Sequence, residues 1–132
     1  MIVVDTNVIA YLFLNSDQAI YSEALLRHDP EWAVPVLWRS EFRNILALYL
    51  RKKIITLTNA EQIMEAAEKL VDKNEYAVPS RAVLEYVNTS SCSAYDCEFV
   101  CLAENLNTYL VTADKKILKS FPKLTRPLSQ FS

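Results

Sequence analysis

Short, wholly apolar runs alternate with stretches of helical period along most of this chain. Ile2-Val3-Val4, Ala33-Val34-Pro35-Val36, Tyr76-Ala77-Val78 and Tyr109-Leu110-Val111 read as buried strands, with Thr125 to Leu128 as a short fifth. Between them the pattern predicts helices at about 16–28, 37–53, 59–72, 80–89, 93–106 and 114–120. Thr58-x-x-Glu61 reads as a capping box at one helix start, and Ser93-x-x-Asp96 resembles one at another. Asn107 can take the left-handed cap that glycine usually fills. The strands are too short and too apolar to have a wet face. Buried strands separated by helices imply a parallel sheet covered on both sides, with right-handed crossovers. The expected fold is therefore α/β: a three-layer α/β/α sandwich around a central, mainly parallel sheet of four to five strands, as a single domain over residues 1–132.

Composition removes several function classes. The chain has no glycine, and phosphate-cradling loops and dinucleotide fingerprints need glycine where backbone approaches phosphate. A single histidine, His28, excludes zinc sites built on two or three histidines and leaves a Ser/His/Asp triad one possible base. Cys92, Cys97 and Cys101 form no CxxC pair and read as small buried hydrophobes of a reducing cytoplasm. No apolar run approaches a membrane span, and the N-terminus passes from Val4 to Asp5 with no signal-peptide pattern, so a cytoplasmic protein without membrane attachment is expected. The formal net charge of -2 conceals a segregation. Lys115 to Arg126 carries five bases and no acid, and Arg39 to Lys53 carries five bases against Glu41 alone. Residues 61–104 are predominantly acidic. Two basic flanks on an acidic body can form a phosphate-facing rim, with Arg39, Arg43, Lys115 and Lys116 as candidate contacts.

Parallel α/β sheets bind ligands beyond the carboxyl ends of their strands. Two strands here end in acid: Val4 is followed by Asp5, and Leu110-Val111-Thr112-Ala113 by Asp114. Two more acids sit on apolar helix faces. At ~100° per residue, Glu41 shares an arc with Leu37, Ile45 and Leu48, and Asp96 with Phe99, Val100 and Ala103. Glu98 lies roughly 200° from Asp96 and is expected on the exposed side. A carboxylate on an apolar face must find a cation, hydrogen-bond donors or a wet cleft. Each acid has an ordinary structural explanation, as a turn, a cap or an ion-pair partner. Taken together, four acids converging on one cleft call for a divalent metal, and oxygen-only ligands suit Mg²⁺ or Mn²⁺. Phosphodiester hydrolysis uses such a centre. Thr6, Asn7 and Thr112 stand beside the acids as supporting hydrogen-bonding groups.

Val4-Asp5-Thr6-Asn7-Val8, Ser40-Glu41-Phe42, Ser93-Ala94-Tyr95-Asp96 and Leu110-Val111-Thr112-Ala113-Asp114 resemble, in order and spacing, the four acidic motifs of PIN-domain ribonucleases, and in particular VapC-type toxins of toxin–antitoxin pairs. The resemblance implies a Mg²⁺- or Mn²⁺-dependent endoribonuclease acting on RNA. It further implies a homodimer and a cognate antitoxin that blocks the acidic cleft. Carried over, Asp5, Glu41, Asp96 and Asp114 would be the catalytic metal ligands, supported by Asn7 and Thr112. Some relatives bear a further acid after the last motif; residues 115–120 have none, which leaves one or two ions open.

Two other readings use the same fold. A receiver-type phosphoacceptor domain would need an Asp at the tip of the third strand and an acidic pair at the first, and Tyr76-Ala77-Val78-Pro79-Ser80 supplies none. A non-catalytic PIN-like module binding RNA or protein would not need the four acids.

Overall fold

The structure is a computed structural model describing all residues, Met1–Ser132. Five strands, β1 (Ile2–Val4), β2 (Trp32–Pro35), β3 (Glu75–Tyr76), β4 (Leu110–Thr112) and β5 (Thr125–Pro127), form one sheet in the order β3-β2-β1-β4-β5. Every pairing is parallel, as expected for strands joined through helices. The helices are α1 (Thr6–Phe13), α2 (Ala19–His28), α3 (Trp38–Arg51), α4 (Leu57–Leu70), α5 (Ser80–Asn88), α6 (Ala94–Asn105) and α7 (Lys115–Ser120). The α/β architecture and the five-stranded parallel sheet agree with the expectation from sequence.

β1, β2 and β4 are buried along their whole length, so neither face of the central sheet meets water. Trp32, Trp38, Phe42, Ile9, Leu25 and Leu102 are among the largest fully buried side chains of the continuous core. No helix is long and apolar enough to cross a membrane. The three cysteines are buried and unbridged.

Three local expectations are corrected. The apolar pattern does not predict helix α1, because Val8-Ile9-Ala10 continues the run of β1 with no clear break; Asp5 itself supplies the N-cap that starts the helix. The capping box belongs to Thr56 and Asn59, not Thr58 and Glu61. Asn59 N–H donates to Thr56 Oγ1 at 3.1 Å and Asn59 Oδ1 accepts from Thr56 N at 3.3 Å, so α4 begins two residues earlier than the Thr58 box would place it. The Ser93 cap is one-sided: its Oγ accepts from Asp96 N at 3.1 Å, and the Asp96 carboxylate does not return the bond.

With no glycine available, left-handed corners fall on other residues: Lys53 (φ 58°), Lys73 (φ 69°) and, as expected, Asn107 (φ 54°). Trp38, at the start of α3, donates Nε1–H to Glu75 Oε2 at 2.9 Å. Arg39 binds the same carboxylate through Nε and Nη2, each at 2.7 Å, and reaches Glu68 through Nη1. This network clamps the first turn of α3 to β3 and α4.

Candidate active site at the carboxyl edge of the sheet

Parallel pairing sets Val4 opposite Val111, so Asp5 and Thr112 come next in register where β1 and β4 end. The Thr112 hydroxyl donates to Asp5 Oδ2, and Thr112 Oγ1 accepts from Asp114 N at 3.0 Å. Asp5 Oδ1 accepts from Val8 N at 3.1 Å and caps α1. Asp114 Oδ1 accepts from Lys116 N at 2.9 Å and Ile117 N at 3.1 Å and caps α7. Capping does not exhaust either carboxylate, because an ionised one has about four acceptor positions. The strand tip and the helix start thus hold both acids in place while leaving lone pairs toward the cleft.

The other two acids come from the first turns of α3 and α6. Glu41 Oε1 accepts from the Thr6 hydroxyl at 2.7 Å, which ties α3 to the residue after Asp5. Both positions lie at positive helix ends, where negative charge is favoured. Asp5, Glu41, Asp96 and Asp114, with Thr6 and Asn7, line one cavity of about 250 Å³.

The cavity is electrostatically strained. Burial pushes the Asp5 carboxyl up from 3.8 to about 6 against its bonds from Thr112 and Val8, and the charges of Asp114 and Glu41 add to the rise. Burial likewise raises Glu41, and Asp96 contributes repulsion. None of the four acids is in an ion pair. Nor do any three metal-binding side chains draw close enough to enclose an ion unaided. The donors are all oxygen, uncompensated by cations, around an open cavity. That set fits a hard dication which completes its shell with water and substrate oxygens.

Of the residues anticipated, Asp5, Thr6 and Thr112 are buried, Glu41 and Asp96 half-buried, and Asn7 and Asp114 exposed at the rim. Asn44, one turn beyond Glu41 on α3, also lines the cavity and is absent from the sequence-based set; its i+3 spacing is the signal that could have found it. Glu98 requires correction. It is half-buried rather than surface charge, and burial together with the charge of Glu41 raises its pKa. Helical angle alone misplaces it, because α6 buries Cys97, Phe99, Val100, Cys101, Leu102 and Ala103 and keeps little outward face. Arg39 is also corrected as a free cation of the rim, since Glu75 and Glu68 neutralise it. Arg43, Lys115 and Lys116 are exposed and outside any ion pair.

A family model described as the PIN domain matches residues 2–124. The chain is 24% identical over 129 residues to Ribonuclease VapC3 of Pyrobaculum aerophilum, covering 96% of this chain and 98% of that one. Among solved structures, FitAcB from Neisseria gonorrhoeae superposes with a TM-score of 0.78 at 14% identity, covering 99% of this chain and 100% of that one. A toxin–antitoxin complex from Klebsiella pneumoniae gives a TM-score of 0.69 at 15% identity, over 97% of this chain and 98% of that one.

Proposed function

This chain belongs to the PIN domain family, and from that premise we propose that it is a Mg²⁺- or Mn²⁺-dependent endoribonuclease, the toxin of a toxin–antitoxin pair. One observation carries the reading: four carboxylates from four separate elements line one cavity with no cation among them. The full-length similarity to a ribonuclease supports it. Asp5, Glu41, Asp96 and Asp114 would hold the ion, in part through bound water rather than by direct contact from all four. The chemistry such an ion supplies when bound is polarisation of the phosphate and acidification of water.

The chain's own groups do the rest. Thr112 fixes the Asp5 carboxylate and Thr6 fixes that of Glu41, so neither has to be ordered when substrate arrives. The Asn7 and Asn44 amides line the same cavity and can orient a phosphate oxygen or a water. Lys115 and Lys116, beside Asp114, attract the RNA backbone. An antitoxin occupying the cavity would inhibit by excluding RNA, and a homodimer would present two such cavities.

Incubation of labelled RNA with the protein tests the reading. Cleavage is expected with Mg²⁺ or Mn²⁺ and none with EDTA; cleavage that survives EDTA would overturn it. The melting temperature is expected to rise on Mg²⁺ addition in the wild type, because only the folded chain assembles the acids. An unchanged melting point would argue against a metal centre.

The rim gives a second expected outcome, read by filter binding over a salt series. Neutralising Lys115 and Lys116 flattens the slope of log K against log salt by about 0.7 per lost phosphate contact. Arg39→Gln leaves that slope unchanged and lowers stability instead, since its charge is already engaged.

A further inference from the structure

A second cavity, of about 480 Å³, opens at the same edge of the sheet, where β2 and β3 end. Its walls are apolar, formed by Val36, Tyr76, Val78, Val83 and Leu84, and one acid, Glu98, lines it. Val36 and Leu84 are 51% and 63% exposed, so the walls are open to a ligand. α6 joins the two cavities: Asp96 lines the acidic one and Glu98, two residues on, the apolar one. Tyr95, 62% exposed and between Ala94 and Asp96 in the sequence, lines a third cleft with Glu41 and Asn44. At ~4.8 Å per strand, the tips of β2 and β3 lie about 5–10 Å from that of β1, within reach of a nucleotide adjoining a phosphate held at Asp5.

Apolar walls with one carboxylate suit a ring that has apolar faces and presents two adjacent N–H donors at its edge. Among the RNA bases, guanine alone offers this, through N1–H and the N2 amino group. Adenine and cytosine each set a ring-nitrogen lone pair beside their amino group, and uracil flanks its single N–H with two carbonyls. We infer that this cavity is a guanine subsite, in which Glu98 accepts both Watson–Crick-edge hydrogens of an unstacked guanine next to the cleaved phosphate. This inference rests on the nuclease reading and adds the base that the site selects. Glu98 is then a specificity residue, and the exposed Tyr95 ring offers a stacking face to a neighbouring base.

Two measurements separate failure of the inference from failure of that reading. In the first, guanosine, adenosine, cytidine and uridine are titrated into the isotopically labelled protein with EDTA present, and amide shifts are followed by NMR. Guanosine is expected to shift Tyr76, Ala77, Ala94 and Glu98, binding about 5- to 100-fold more tightly than the others. Glu98→Gln should abolish the preference. Leu84→Glu, at an exposed position the fold tolerates, should weaken guanosine binding. Equal binding of all four nucleosides, shifts elsewhere, or no change in Glu98→Gln overturns the inference. So does stronger binding of free arginine, which has the same paired donors and would assign the cavity to a peptide. A dimer that Leu84→Glu dissociates while guanosine shifts nothing would give the cavity to a second copy of this chain, which also overturns it.

In the second, cleavage of a random-sequence RNA pool is mapped. Guanine is expected at a fixed offset from the cut, and Glu98→Gln is expected to erase that preference from whatever cleavage remains. Cleavage without that preference refutes the subsite and leaves the nuclease. Absence of cleavage refutes the nuclease, and the nucleoside titration still decides the subsite.

Discussion

Asp5→Asn is expected to abolish RNA cleavage and at the same time raise the melting temperature of the metal-free protein. Both effects follow from one position. Asp5 is buried at the tip of β1, its pKa is pushed up to about 6 by desolvation, and Asp114 and Glu41 repel it. Its folded pKa lies above its unfolded value of 3.8, so ionising it opposes folding: the contribution of Asp5 to stability is greatest below about pH 4 and is lost as pH rises through 6. A rise from 3.8 to about 6 corresponds to roughly 3 kcal/mol of lost stability at neutral pH. Asparagine keeps the oxygen that accepts from Val8 N and so preserves the cap of α1. Part of the gain is lost because the Thr112 hydroxyl must find another acceptor. A net rise of roughly 5 °C or more is expected by calorimetry at pH 7, shrinking toward pH 4. Cleavage should fall by more than about 10²-fold, since a carboxylate that would hold the ion is gone. A variant that cleaves at the wild-type rate, or one less stable than wild type at pH 7 without metal, would contradict these roles for Asp5.

Trp38→Ala should be among the most damaging single substitutions for stability. The indole is fully buried, packs on Phe42 with ring centroids 5.6 Å apart, and donates to Glu75. Truncation removes that packing, leaves a cavity and takes a donor from a half-buried carboxylate, for about 3–5 kcal/mol in denaturant unfolding. Trp38→Phe keeps most of the volume and should recover the greater part of the loss. The remaining clamp on Glu75 is Arg39, whose hydrogen bonds hold the Glu75 carboxyl below its usual 4.5. This stability is complete above pH 4.5 and is lost as pH falls through the depressed value; Trp38→Ala removes one of the bonds that depress it, so the stability gap between wild type and variant should narrow as pH falls below 4.5. Glu41 sits three residues along the same helix; a loosened start of α3 should therefore also weaken protection by Mg²⁺. A loss under about 1 kcal/mol would show that the clamp does not set the position of α3.

The sheet was legible because its strands are apolar on both faces, a pattern that needs no knowledge of partners. The four acids were legible for the converse reason, since each interrupts an apolar context. Elsewhere long-range packing outweighs local pattern. Nothing between Val4 and Val8 announces a helix, because the cap is supplied by an acid that also ends a strand. An exposed Glu98 would need one wet face on α6, and α6 is covered by the sheet on one side and packed against α5 on another. Arg39 looks available in the sequence because Glu68 and Glu75, which neutralise it, lie 29 and 36 residues away. Its pairing is a product of tertiary structure that charge counting cannot reach.

The glycine-free sequence has a thermodynamic side as well. Each left-handed corner at Lys53, Lys73 and Asn107 costs the native backbone about 1 kcal/mol that glycine would avoid. Every residue of the denatured chain carries a Cβ, however, so its random ensemble is narrower and less entropy is surrendered on folding. A stiff denatured ensemble leaves room for a native state that holds unneutralised negative charge at one edge of its sheet.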